Sequence, residues 1–110
     1  MRFEPAGDGT VVASVTVNEE FQGWKGVAHG GIAMALLDEA MAHAALTAGH
    51  RGVTASMTTR FRKAVPVAQA LTVSASIARI RRNVLFVTAQ LRDRDAHVLA
   101  EAEGSFVVRR

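Results

Sequence analysis

One segment sets the architecture. Residues 31–48, GIAMALLDEAMAHAALTA, are dense in Ala, Leu and Met, carry no proline and hold no glycine after Gly31. Such side chains lose little freedom in a helix, so the run predicts one long α-helix. Gly30-Gly31 open it, and Gly49 follows it, where a helix-ending glycine belongs. The rest of the chain reads as strand. Val11, Ala13, Val15 and Val17 share one face of a strand over 10–17. Further strands are expected over 53–65, 70–80, 84–92 and 97–109, with Arg81-Arg82-Asn83 and Asp93-Arg94-Asp95 as hairpin turns. Between the first strand and the helix, Asn18–His29 reads as a loop holding Gly23 and Gly26. The order is β-α-β-β-β-β, an α+β arrangement whose single apolar helix needs a sheet to cover it. The short connections predict that the last four strands form an antiparallel meander, since parallel crossovers need a dozen or more residues.

With 110 residues the expectation is a single domain over 1–110 with one core. The absence of cysteine excludes a disulfide scaffold, a thiolate zinc site and a cysteine nucleophile, and it fits a reducing compartment. His29, His43, His50 and His97 show no metal-ligand spacing, so no metal is expected. Phosphate-loop and dinucleotide fingerprints are missing, so no cofactor is expected either. The net charge is +3, but the bases are scattered and aromatics amount to 5%, which offers no stacking platform for nucleic acid. Met1–Pro5 lacks the apolar core of a signal peptide. The apolar stretch 32–46 is broken by Asp38, Glu39 and His43 and falls short of the ~20 residues of a membrane span. These features predict a soluble, cytoplasmic chain without a membrane partner.

On a helical wheel, Gly31, Met34, Ala35, Met41, Ala42 and Ala45 all fall within about 60° of Asp38. A carboxylate in the middle of a small, apolar face needs a reason, because burying an unpaired charge is unfavourable. Glu39 lies further round and is spaced to pair with His43 one turn on. The helix start supplies a complementary feature. Two glycines let backbone come close to a ligand, and free amides at a helix N-terminus favour developing negative charge. Those are the properties of an oxyanion hole.

The stretch Phe21-Gln22-Gly23-Trp24-Lys25-Gly26-Val27-Ala28-His29-Gly30-Gly31, followed by Ala35-Leu36-Leu37-Asp38-Glu39-Ala40, resembles the hotdog-fold acyl-CoA thioesterases, in particular the PaaI-like branch. The signature is His-Gly-Gly with an acid nine residues after the His. The resemblance implies a long helix wrapped by a curved antiparallel sheet, a homodimer or homotetramer with sites at the dimer interface, and an acyl-CoA substrate. It implies that the Gly30 N–H polarises the thioester carbonyl and that Asp38 is the catalytic carboxylate, as general base or nucleophile. Ser56, eighteen residues after Asp38, would position the acid or the water, and His29 would orient the thioester. Gly31 and Gly23 would border the substrate. Some relatives carry Asn where this chain has Gly23, so that amide's role would fall to Gln22, to His29 or to nothing. Coenzyme A carries several phosphates, so Arg60, Arg62 and Lys63 near one strand end, and Arg79, Arg81 and Arg82 at a hairpin, are candidate contacts. Two other readings remain open: a hotdog hydratase or dehydratase using His29 and Asp38 as an acid/base pair, and a non-catalytic acyl-CoA binding module.

Overall fold

The computed structural model describes residues 1–109. Its elements are β1 (Glu4–Pro5), β2 (Thr10–Thr16), a 3-10 turn (Glu19–Phe21), β3 (Gln22–Trp24), β4 (Val27–Ala28), α1 (Gly30–Thr47), β5 (Gly52–Phe61), β6 (Ala70–Arg81), β7 (Val84–Arg92) and β8 (Val98–Val108). The expected helix is therefore present within a residue at either end. Inside the expected 18–29 loop lie the 3-10 turn, capped by the Asn18 side chain, and the short β3–β4 hairpin. Both are built from local polar and glycine geometry that has no periodicity to read.

All but β3 and β4 join one antiparallel sheet in the order β1-β2-β6-β7-β8-β5. The alternating apolar residues of β2, β6, β7 and β8 face α1 and bury against it. The helix contributes Ala33, Leu37, Ala40, Met41, Ala44 and Ala45, and the sheet meets them with Val11, Val73, Leu85, Leu91 and Phe106, all fully buried. Each large side chain removed from water contributes about 1.5–3 kcal/mol, while the helix alanines keep the two layers close. Among the described residues no helix is long and apolar enough to cross a membrane.

The four-strand meander needs correction. Only β6, β7 and β8 run side by side in chain order; β5 pairs with β8 at the far edge. The connection from β5 to β6 crosses the end of the sheet beside the start of α1. Both the Arg62 and Lys63 N–H groups turn to the Leu99 carbonyl, ending β5 at Phe61 rather than at residue 65. The chain is then held by Ala28 N–H to Val65 O, Val67 N–H to Gly26 O and Ala68 N–H to Val17 O. Val65 and Val67 are buried beneath this path. Antiparallel direction is kept, but the neighbour is changed.

β5 also carries a bulge. Thr54 lies opposite Phe106, yet Ser56 lies opposite Ser105, so Ala55 is the extra residue. An extra residue reverses which way the following side chains point. Thr54 thus shares the helix-facing side with Phe106, and Ser56 falls on the outer side. Two surfaces near this strand stay open. Among the described residues the outer edge of β5 pairs with no strand, and Gly31, Met34 and Ala35 of α1 are exposed.

Candidate active site

His29 caps α1. Its Nδ1 accepts the Gly31 N–H at 3.0 Å, while its own carbonyl starts the helical ladder with Ile32 and Ala33. With Nδ1 accepting, the proton of the neutral ring sits on Nε2. The first four amides of a helix lack intrahelical partners. Here Gly31 is satisfied by the histidine, whereas the Gly30 N–H has no acceptor among the described residues. That donor lies at the positive end of the helix dipole. Beside it runs an open groove of about 360 Å³ lined by Val27, Ala28, Phe61 and Val65, with Arg62 and Lys63 at the rim. Phe61 is half exposed there, and its ring edge would lie 3.6 Å from a Cβ placed at Gly30.

Asp38 sits about two turns into α1, partly exposed, with its Oδ1 accepting the Thr54 hydroxyl at 2.9 Å. The carboxylate is thus fixed at one oxygen and open at the other. Ser56, expected at this place, instead shares a 2.6 Å hydrogen bond with Ser105. The Ala55 bulge is the physical cause, because it turns Ser56 away from the helix. Thr54 was missed for the same reason: a hydroxyl at either position satisfies the sequence, and only the bulge decides between them.

The profile of the thioesterase superfamily matches residues 25–100, which takes in the His29–Asp38 segment and the sheet behind it. This chain belongs to the thioesterase superfamily. Solved structures agree. A thioesterase superfamily protein is 30% identical with a TM-score of 0.91 over 96% of this chain, which spans 52% of that protein, about half its length. The PaaI protein of E. coli is 19% identical, with a TM-score of 0.91 over 99% of this chain and 79% of its own. A hypothetical thioesterase protein of Streptococcus pneumoniae solved with coenzyme A is 22% identical, with a TM-score of 0.90 over 97% of this chain and 86% of its own. The fold is therefore the hotdog fold. No curated protein matches the chain.

The thioesterase-superfamily chain disperses its other predicted residues. Gly23 lies against His29, where an added Cβ would come within 3.2 Å of the His29 Cα. Its lack of a side chain thus seats the capping histidine. Gln22 turns away, its Oε1 accepting the Gly26 N–H at 3.0 Å. Arg62, at the groove rim, directs Nε and Nη2 at Glu101 Oε1. Arg60 is exposed and lies opposite Glu101 across β5–β8. Arg81 closes β6 and Arg82 occupies the turn after it. They lie at the end of the sheet where α1 finishes, remote from the Gly30 of their own chain. Glu39 pairs with His43 at 3.2 Å, as its spacing predicts. Asp93, Asp95 and His97 cluster in the β7–β8 loop, where Asp93 Oδ1 accepts the backbone N–H groups of Asp95 and His97 and staples the turn.

Proposed function

We propose that this chain hydrolyses an acyl-CoA thioester to the free acid and coenzyme A, as a homodimer or homotetramer. The carrying observation is the presence on one helix of a Gly30 N–H with no acceptor among the described residues, at the start of α1, and of Asp38, held by Thr54, further along. In this reading the Gly30 amide donates to the thioester oxygen as negative charge develops there. One such donor is worth about 3 kcal/mol in acyl transfer. Asp38 removes a proton from the attacking water, or attacks the carbonyl carbon itself. The C–S bond then breaks, and the thiolate leaves and takes up a proton as coenzyme A; on the nucleophilic route water then hydrolyses the acyl–Asp38 anhydride to the free acid and restores the carboxylate.

Eight residues separate Gly30 from Asp38, about 12 Å along the axis. Both must lie within a few ångströms of one carbonyl. The donor and the acid therefore come from two chains, their helices antiparallel across a two-fold axis. The exposed Gly31, Met34 and Ala35 and the open edge of β5 support that pairing. Thr54 positions Asp38, and His29 fixes the helix start and offers its Nε2–H to the substrate side.

Structural relatives add support. The pneumococcal protein was solved with coenzyme A, and one from Streptococcus mutans with acetyl CoA. The pneumococcal protein was also solved as an Asp→Ala and a Thr→Ala variant, at positions sixteen apart, the separation of Asp38 and Thr54 here. A hydratase would use His29 and Asp38 as an acid/base pair, and with the His29 Nδ1 engaged by Gly31 only its Nε2 could serve. The test is a panel of acyl-CoAs with thiol release as the readout, run beside enoyl-CoA hydration. Thiol release with at least one ester is expected. Binding without release would leave a non-catalytic module, and hydration without release a hydratase.

A further inference from the structure

Of the thirteen basic residues only Lys25 and Lys63 are lysines, and the chain holds no cysteine. A guanidinium stays protonated in proteins, so these two side chains and the Met1 amine are its amine nucleophiles. Lys25 sits in the turn between β3 and β4. Lys63 is placed differently. It follows Phe61, the last residue of β5, by two positions. The Arg62 and Lys63 N–H groups share the Leu99 carbonyl, at 2.7 and 3.0 Å, which fixes the backbone beneath both side chains. Lys63 lines the same groove as Gly30, Phe61 and Val65. Its neighbour Arg62 reaches Glu101, whereas Lys63 is exposed and has no ion-pair partner among the described residues. A flexible four-carbon stem lets its amine sweep the groove mouth.

A groove that seats a thioester against the Gly30 N–H therefore also presents a primary amine. Polarisation of the carbonyl favours any nucleophile nearby, and lysine amines attack carbonyl carbon. Holding the two reactants in one groove replaces a bimolecular encounter with an intramolecular one. We propose that Lys63 is a self-acylation site, which takes the acyl group of a bound acyl-CoA onto its Nζ in competition with water. This rests on the thioesterase reading for the ligand, but not on Asp38 for the chemistry. The uncharged Nζ attacks the carbonyl carbon and a C–N bond forms. The C–S bond breaks, and the proton lost by nitrogen passes to the departing thiolate. The products are an amide on Lys63 and coenzyme A, with no further reactant consumed. Acylation removes the lysine charge from the groove rim. It also leaves an acyl chain tethered beside Phe61 and Val65.

The test incubates the full chain with a panel of acyl-CoAs and, separately, with S-acetyl-N-acetylcysteamine, a small thioester without the nucleotide. Peptide mass spectrometry then follows each amine. Lys25 and Met1 are internal references, since both are exposed and neither lines the groove. With at least one coenzyme A ester, Lys63 should be acylated roughly tenfold faster than Lys25. Excess free coenzyme A should suppress that advantage, and the small thioester should label both lysines alike. Equal rates at Lys63 and Lys25 with every ester overturn the proposal. So does a Lys63 advantage that persists with the small thioester or under excess coenzyme A, because it would then owe nothing to a bound ester. Asp38→Asn should be labelled at Lys63 at least as fast as the parent; loss of the label there would mean that the acyl group travels through Asp38, and direct transfer would be wrong. Counting thiols separates the two readings. Release far beyond one thiol per chain with Lys63 unmodified sinks this proposal and leaves the hydrolase. Release that stops at one per chain, with Lys63 acylated, sinks the hydrolase and leaves this site standing.

Discussion

Asp38 concentrates the chemistry in one side chain, and its environment says how it should respond to change. Asn in its place keeps the shape and the Thr54 contact but neither accepts a proton nor attacks. Asp38→Asn should therefore fold normally and lose roughly 10²–10⁴ in kcat, read by thiol release. Thr54→Val removes one hydrogen bond to a charged group, worth about 1.5–3 kcal/mol, so a ten- to hundredfold drop is expected. Ser56→Ala should have the smaller effect, because its hydroxyl is engaged with Ser105 on the other face. A larger loss at Ser56 than at Thr54 would return the acid's support to the position first read from the sequence. Asp38 and the Gly30-Gly31 start were legible because a lone acid on a small apolar stripe, and paired glycines before it, are departures from local pattern. Thr54 was not, since strand alternation assumes a uniform register and the Ala55 bulge breaks it.

At the level of elements, β8 is organised around Gly104. A Cβ there would lie 3.1 Å from both the Met41 Cε and the Ser56 carbonyl oxygen. The glycine admits the helix on one side and the bulged backbone of β5 on the other. Gly104→Ala should destabilise the chain by about 1–3 kcal/mol, measured by denaturant melting, with the loss carried into activity through β5. The β7–β8 loop gives a pH-dependent case. The backbone N–H of His97, then its ring and the N–H of Asp95, hold the Asp93 carboxyl below the usual carboxylate range. Its stabilising contribution is complete above pH ~4, the unfolded value. It is lost as pH falls through the lower folded value. An NMR titration should find the Asp93 midpoint below the ordinary aspartate value; a midpoint at or above that value contradicts this. The helix and the strand faces were readable because their periods repeat over many residues. The place of β5 was not, because adjacency depends on the route of the 62–69 connection, fixed by distant hydrogen bonds to Gly26 and Val17.

For the whole molecule, the two-chain site makes a prediction that no single-chain site shares. Gly30→Pro deletes the donor N–H at the first helical position, where proline is tolerated, and His29 already has the extended ψ of 137° that a following proline requires. That variant and Asp38→Asn should each be inactive. Mixed and allowed to exchange subunits, they should recover up to about a quarter of the parent's activity, because half of the dimers are then mixed and each carries one intact site. Exchange verified by mass spectrometry without any recovery would refute the shared site.

The position of β8 also bears on how such a chain is made. It is the strand that joins β5 to the rest of the sheet, yet it is synthesised some three dozen residues after β5. At ribosomal speeds of about 5–20 residues per second, β5 waits for seconds with both edges bare. Until β8 arrives, Thr54 has no strand to hold it beneath Asp38, so the carboxylate's support forms among the latest of the native contacts. Non-local pairing of this kind slows folding. Pulse-labelling hydrogen exchange should find β6 and β7 protected before β5.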